Sequence, residues 1–349
     1  MNKIYRLLIL SSVLFSLFSC DNEDSLVDES VVTFEKRTKN ELDVWIYDNL
    51  TVPFNLEVKY KWDDGELENE YHVTPPKIEK AKEFLEVYLN VWIKTYEAEA
   101  IAGGNPDFLE KYMPKLLVLV GSPQFNGDGS MTLGLAEGGK KVTIFNIDKF
   151  ADVTVNSWDT PEQIIENKRS TIFTAFHTMH HEFAHIMHQT KFYPDEFKEI
   201  CKGDYTGNWM DVYPAEAEVK GFITPYSLLN ENEDFVEIVA AMLDKVRFSN
   251  EPRLFNTQLK DDQGNLTTEK GEIYLSEWEA HLYSWAFTTD YDENWQSVWV
   301  QTPEAKEGYD KFVSKVNIVT TYYKEKWGID LYSLQKRIET AVNNLTFEN

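Results

Sequence analysis

Apolar and polar residues alternate along FNLEVKYKW (54–62), a period of two that predicts a strand with one buried face. LDVWIY (42–47) is strand-like as well, without that clear alternation, and KLLVLVGS (115–122) has the unbroken apolar run of a buried strand. GSMTLGLAEGGKKVTIFNID (129–148) predicts a hairpin that turns at Gly138-Gly139. Helical spacing governs PPKIEKAKEFLEVYLNVWIKTYEAEA (75–100), opened by proline and closed by Gly103-Gly104. From residue 160 the helical period takes over. TPEQIIENKRSTIFTAFHTMHHEFAHIMHQT (160–190) offers Thr160 as N-cap, Pro161 at the first helical position and Gln163 at the capping-box position. Another helix is expected over 231–247, and two more over 302–345, broken near Gly328. Strands and one helix come first and helices follow, the order of an α+β fold rather than an alternating α/β one. The expected architecture is a small N-terminal mixed sheet, to about residue 150, followed by a mainly helical part.

Composition allows a sizeable core: 42% of the 349 residues are hydrophobic and 14% aromatic. The formal charge of −25 repels phosphate backbones and argues against nucleic acid as a partner. The leader MNKIYRLLILSSVLFSLFSC differs from the rest: Lys3 and Arg6 precede a short apolar run that ends in Leu17-Phe18-Ser19-Cys20. That is the order of a secretion signal over 1–19. It resembles a bacterial lipoprotein signal, which implies lipidation of Cys20 and an acidic tether over 20–39, with 40–349 as a single domain. The acidic DNEDS after Cys20 resembles the surface-export signal of Bacteroidota lipoproteins. These features imply an outer-membrane, cell-surface lipoprotein that touches the membrane by its lipid alone. Cys201 would then be the remaining cysteine, without the neighbours of a zinc knuckle, and reads as a small apolar residue.

Five of the seven histidines fall within FHTMHHEFAHIMHQT (176–190). On a helix, His181 and His185 project from one face one turn apart, as two ligands of a tetrahedral Zn²⁺ require. Glu182, about 100° further round, is placed to accept a proton from water activated by the metal. His181-Glu182-Phe183-Ala184-His185 thus fits H-E-x-x-H. His177 and His188 share that face and are read as packing at the helix ends or solvated, with a role behind the ligands or facing the substrate as the alternative. A pair shifted by one turn, His177 with His181, lacks the adjacent glutamate and is set aside. His180 points off the face, His72 is isolated, and His281 reads as a surface partner of Glu277. His188 and Lys191 occupy the positions where the extended astacin and matrixin motif needs Gly and His. A third ligand must come from elsewhere, and Glu216, Glu218, Glu231, Glu233 and Glu237 all compete.

HEFAH followed by GFITPYSLLNENEDFVEIVAAM resembles the zinc metallopeptidases in which a second helix supplies the last ligand, and is similar to the anthrax lethal-factor core. The likeness covers roughly 176–240. It implies a zincin-like fold, with Glu233 as third ligand and Tyr226, seven residues before it, as oxyanion donor. Glu237 becomes a carboxylate behind the ligands or the alternative ligand. Asp234-Phe235-Val236 departs from the F-F-A of that core, so register rests on the glutamates and the tyrosine. Leader and layout resemble the Bacteroidota zinc metallohydrolase lipoproteins of substrate-import loci, which implies an import porin and a binding lipoprotein as partners.

The leading expectation is a zinc-dependent peptidase acting on a peptide or other amide, with Glu182 as base and then acid. The strand KVTIFNID (141–148) is a candidate edge for aligning an extended substrate, against its plainer reading as an ordinary sheet strand. The alternatives are a non-catalytic nutrient- or peptide-binding lipoprotein, which would retain ligand without metal, and a zinc that only braces the fold, which would leave Glu182 dispensable. Lipidation has a direct test: the variant Cys20→Ala is expected to leave the membrane fraction, and unchanged membrane fractionation would remove the anchor.

Overall fold

A computed structural model describes residues 38–61, 65–66, 72–127, 129–137, 140–244, 253–260, 266–275, 285–291, 294–295 and 297–347. The leader, Cys20 and nearly all of the tether lie outside them, as do Gly138-Gly139 and the His281/Glu277 pair. The chain divides into two units, 1–40 and 41–349, and the second is the one described below.

Helix α1 (Glu41–Ile46) replaces the strand expected at 42–47, and a π-helical turn, Tyr47–Thr51, continues it. The reason is visible in the burial. Leu42, Ile46 and Leu50 are buried, whereas Val44 and Tyr47 are exposed, so the apolar residues that matter recur every fourth position. Strand β1 keeps only Glu57–Lys59 of the predicted 54–62.

Helix α2 runs Ile78–Val87, widens into a π-helical stretch, Tyr88–Ile93, and ends as Lys94–Ala102. The widening has a packing consequence. Steps of four residues overshoot a full α-helical turn by about 40°, so Phe84, Tyr88, Trp92 and Tyr96 would spiral off one face. A wider turn counters that drift, and the four rings follow one another with centroids 6.1, 5.2 and 4.6 Å apart.

After α3 (Phe108–Tyr112) come β2 (Leu116–Leu119), β3 (Gln124–Phe125), β4 (Met131–Thr132), β5 (Gly134–Glu137) and β6 (Lys141–Ile144). The main sheet has the order β1-β2-β6-β5, with β1, β2 and β6 parallel and β5 antiparallel to β6. β6 is therefore an inner strand and cannot be the substrate-aligning edge considered for 141–148. Val142, Thr143 and Ile144 are buried in it, and β5 is the edge instead.

Helix α4 (Pro161–Thr190) begins at the Thr160 capping box, with the Gln163 amide hydrogen donating to the Thr160 hydroxyl at 3.2 Å and Thr160 N–H to the Gln163 side chain at 2.8 Å. α5 (Glu196–Ile200), α6 (Pro214–Val219) and α7 (Glu231–Asp244) follow. Then come two hairpins, β7 (Arg253–Lys260) with β8 (Leu266–Leu275) and β9 (Thr288–Tyr291) with β10 (Ser297–Val300). α8 (Pro303–Trp327) and α9 (Leu331–Asn343) end the chain, parted by Gly328 at φ 71°. Gly103, at the end of α2, lies so close that a Cβ there would fall 1.7 Å from the Gly328 carbonyl oxygen. The mixed sheet before a helical remainder makes an α+β molecule. Among the described residues, no helix is long and apolar enough to cross a membrane.

Cys201 is buried with Ala217, Phe222 and Leu228 in a small apolar cluster. Nearby, the fully buried Lys315 of α8 reaches both carboxylate oxygens of the fully buried Asp234 of α7 at 2.8 Å, and Tyr205 donates to Asp234 at 3.1 Å. The Lys315 ammonium also sits 4.4 Å from the Phe222 ring centroid. Removing one member strands a buried charge. Lys315→Met is accordingly expected to lower unfolding free energy by about 3–5 kcal/mol, measured by urea denaturation. A loss below ~1 kcal/mol would mean the pair behaves as a solvated one.

Candidate metal centre

α4 presents two faces at the motif. Phe183 and Ala184 are buried, and Phe183 meets Trp92, Tyr96 and Phe108 edge-on at 4.8, 5.4 and 5.9 Å between ring centroids. His180 is on this side too. Burial holds its imidazole down at about 3, so it stays neutral, and its Nδ1 shares a hydrogen bond with the Tyr96 hydroxyl at 3.0 Å. The aromatic column of α2 thereby sets the rotation of α4 and turns His181 and His185 the other way.

They face α7, which brings Glu233. His181 Nε2 and His185 Nε2 are 3.2 Å apart, and Glu233 Oε2 lies 3.1 Å from the first and 3.3 Å from the second. Ligands about 2.05 Å from a tetrahedral ion are separated by about 3.3 Å. The two nitrogens and the oxygen therefore have the spacing of three corners of a zinc tetrahedron, with the donor chemistry that ion takes. Burial alone would raise Glu233, but the hydrogen bonds from His181 and His185 outweigh it and hold the carboxyl at about 2. Burial also opposes the charged form of His181, and Glu233 and Glu237 prevail to raise it to about 9. A divalent cation at this triangle would take over the compensation those protons give.

Each metal-facing ring is also held from behind. His181 Nδ1 donates to Glu237 Oε1 at 2.8 Å, and the other Glu237 oxygen accepts from the Thr224 hydroxyl at 2.7 Å. His185 Nδ1 lies 3.0 Å from His188 Nε2. Burial, followed by the nearby His185, lowers His188 to about 4, so its ring remains neutral. His188 is buried at the helix end against Tyr193 and Phe235, as the end-packing reading has it, and His177 bridges Glu237 and Asp244, so neither is merely solvated. A carboxylate or a neutral imidazole behind a ligand fixes its tautomer and plane. The signal for both was their four- and three-residue offsets from the motif.

Glu182 lies beside this triangle, under the edge strand. Gly134 makes that approach possible: a Cβ there would be 2.3 Å from Thr178 Cγ2 and 3.2 Å from Glu182 Cγ. The Ala136 amide donates to the Glu182 carboxylate, but burial dominates and raises its pKa. Tyr226, in a 3₁₀ turn (Pro225–Leu228), donates to Glu233, and burial followed by the surrounding carboxylates raises its hydroxyl. Trp209 packs edge-on against Tyr226 at 4.9 Å. All of these line one cavity of about 660 Å³, walled on one side by β5 and on the other by α4 and α7. Glu216 and Glu218 on α6 and Glu231 at the start of α7 are not among its lining residues. Gly134, Ala136, Thr224, Trp209 and Asp244 carry no pattern that marks them in the sequence.

A model of the family described as "Putative zinc-binding metallo-peptidase" matches residues 35–332. A crystal structure of a protein from Bacteroides caccae, given the same description, aligns at a TM-score of 0.56 and 25% identity, covering 90% of this chain and 96% of that one. No curated protein matches the chain. Zinc is the cofactor both descriptions carry, and it suits the donor triangle.

The triangle separates two carboxylates by consequence. Glu233→Ala is expected to abolish stoichiometric zinc, because two histidines remain. Glu237→Ala is expected to weaken binding about ten- to a hundredfold. Zinc titration of both decides it: tight binding by the first and none by the second would exchange their roles.

Proposed function

The chain belongs to the zinc-binding metallopeptidase family, and on that premise we propose that it is a zinc hydrolase of peptide or related amide bonds with a zincin-like site. The observation that carries the reading is the triangle of His181, His185 and Glu233, with edges of 3.1–3.3 Å, opening beside Glu182 into a cleft. These three side chains would hold the ion. Bound zinc supplies Lewis-acid polarisation and lowers the pKa of water towards 7.

The remaining steps belong to the chain. Glu182 is buried beside the Ala136 amide, and burial raises its pKa, which makes its ionised carboxylate the stronger base. That carboxylate would take a proton from the attacking water and pass it, as the carboxylic acid, to the departing amine. Tyr226 faces the same cleft and stays protonated, and by turning from Glu233, which would hold the ion, its hydroxyl would donate to the oxygen on which charge develops. The edge strand β5 offers backbone groups for an extended substrate to pair with, the role considered above for β6. In the same reading, lipidated Cys20 tethers the hydrolase to the outer membrane facing outward, beside an import porin and its binding lipoprotein.

Glu182→Gln separates catalysis from metal binding. It is expected to retain one zinc per chain and to lose hydrolysis of a peptide library by about a hundredfold or more. Wild-type turnover by this variant would remove Glu182 from the mechanism, and zinc loss would make it a ligand.

A further inference from the structure

The metal triangle is one end of a longer row. His181 Nε2 meets Glu233, and His181 Nδ1 meets Glu237 Oε1. The same Glu237 oxygen accepts from His177 Nε2 at 3.0 Å, and His177 Nδ1 donates to Asp244 Oδ2 at 2.7 Å. Glu233, His181, Glu237, His177 and Asp244 thus alternate carboxylate and imidazole without a gap. The spacing follows from two facing helices: 185, 181 and 177 descend α4 as 233, 237 and 244 ascend α7.

We propose that His177 is a positioning residue for zinc: fixed by Asp244, it holds Glu237 in the orientation that sets the ring of His181. The proposal rests on the zinc site described above. Contacts at both nitrogens, 2.7 Å to Asp244 and 3.0 Å to Glu237, fix the plane of the His177 ring. Glu237 is 4% exposed, so water cannot replace a lost partner cheaply. Without His177, one Glu237 oxygen would keep only His181, and the carboxylate could turn about its Thr224 contact. The His181 ring would follow it.

The same region also has the makings of a second cation seat, since His177, His181 and Glu237 offer three donors close together. Their contacts argue for protons. His177 Nε2 and His181 Nδ1 both meet one Glu237 oxygen, at 3.0 and 2.8 Å, the lengths of hydrogen bonds converging on a shared acceptor.

The test is a double-mutant cycle on zinc affinity, read by competition with a chelating dye. His177→Ala and Glu237→Ala should each weaken zinc about ten- to a hundredfold. Together they should be no worse than Glu237→Ala alone, because His177 acts through that carboxylate. Asp244→Asn, which keeps an oxygen for Nδ1, should retain affinity, while Asp244→Ala should lose it. The visible spectrum of the Co²⁺ form should change in His177→Ala and return in Asp244→Asn. Unchanged affinity in His177→Ala, or additive losses in the cycle, would overturn the proposal. So would two zinc ions per wild-type chain with the second lost in His177→Ala, which would make His177 a ligand. A wild-type chain that binds no zinc would sink the hydrolase reading and this one with it.

Discussion

The seam of imidazoles and carboxylates between α4 and α7 is the constraint to which the rest of the structure answers. Glu237 and His181 are buried, and Glu233 and His177 are partly buried. Buried charge is tolerated only when each group has a partner of opposite character in good geometry. Two helices that meet along such a seam cannot slide or rotate independently, because a shift of one residue breaks every contact. Their outer faces are fixed to match. Phe183 locks α4 into the aromatic column of α2, while Phe235 stacks on Tyr193 at 4.3 Å and Asp234 is clamped by Lys315. Successive residues of a helix point about 100° apart. Glu233, Asp234 and Phe235 therefore serve the seam, the salt bridge and the core in turn.

That arrangement explains what could be seen in the sequence. The helix over 160–190 was legible at both levels, because Thr160, Pro161 and Gln163 mark its start and its histidines recur by fours. Gly328 marked a break because a left-handed residue is needed there. The same logic failed at 42–47, where β-branched and aromatic residues suggested a strand while Leu42, Ile46 and Leu50 kept helical spacing. The widened turn in α2 was hidden, since it depends on aligning four rings against another helix. The hairpin at 129–148 was visible, but which of its strands lies at the edge is a matter of the pairing of β6 with β2, a contact with no local signature.

The site divides in the same way. His181, Glu182 and His185 are one turn of one helix, so spacing alone proposes them. Five carboxylates competed for the remaining place, and the choice depends on how α7 packs against α4. Spacing also grouped His177 and His188 with the motif, yet a helical face says nothing about what it meets. Their partners, Glu237 with Asp244 and His185, decide that both belong to the seam's hydrogen-bonded row rather than to solvated ends.

In the proposed hydrolase, the edge strand would tie the base to the substrate path. Phe145 N–H donates to the Leu133 carbonyl, so the alternation of an antiparallel pair turns the backbone of Leu133 and Leu135 towards β6 and that of Gly134 and Ala136 outward. The outward Ala136 amide is the one that holds Glu182. A peptide paired along this edge in the proposed hydrolase therefore meets backbone groups at Gly134 immediately beside the residue that anchors the carboxylate. Substrate register and base position are then set by one short strand. Its approach to α4 depends on Gly134 having no side chain, because a Cβ would press on both Thr178 and Glu182. A displacement of β5 that relieved such a clash would move the substrate-pairing groups and the Glu182 anchor together, so alignment and proton transfer would fail as one.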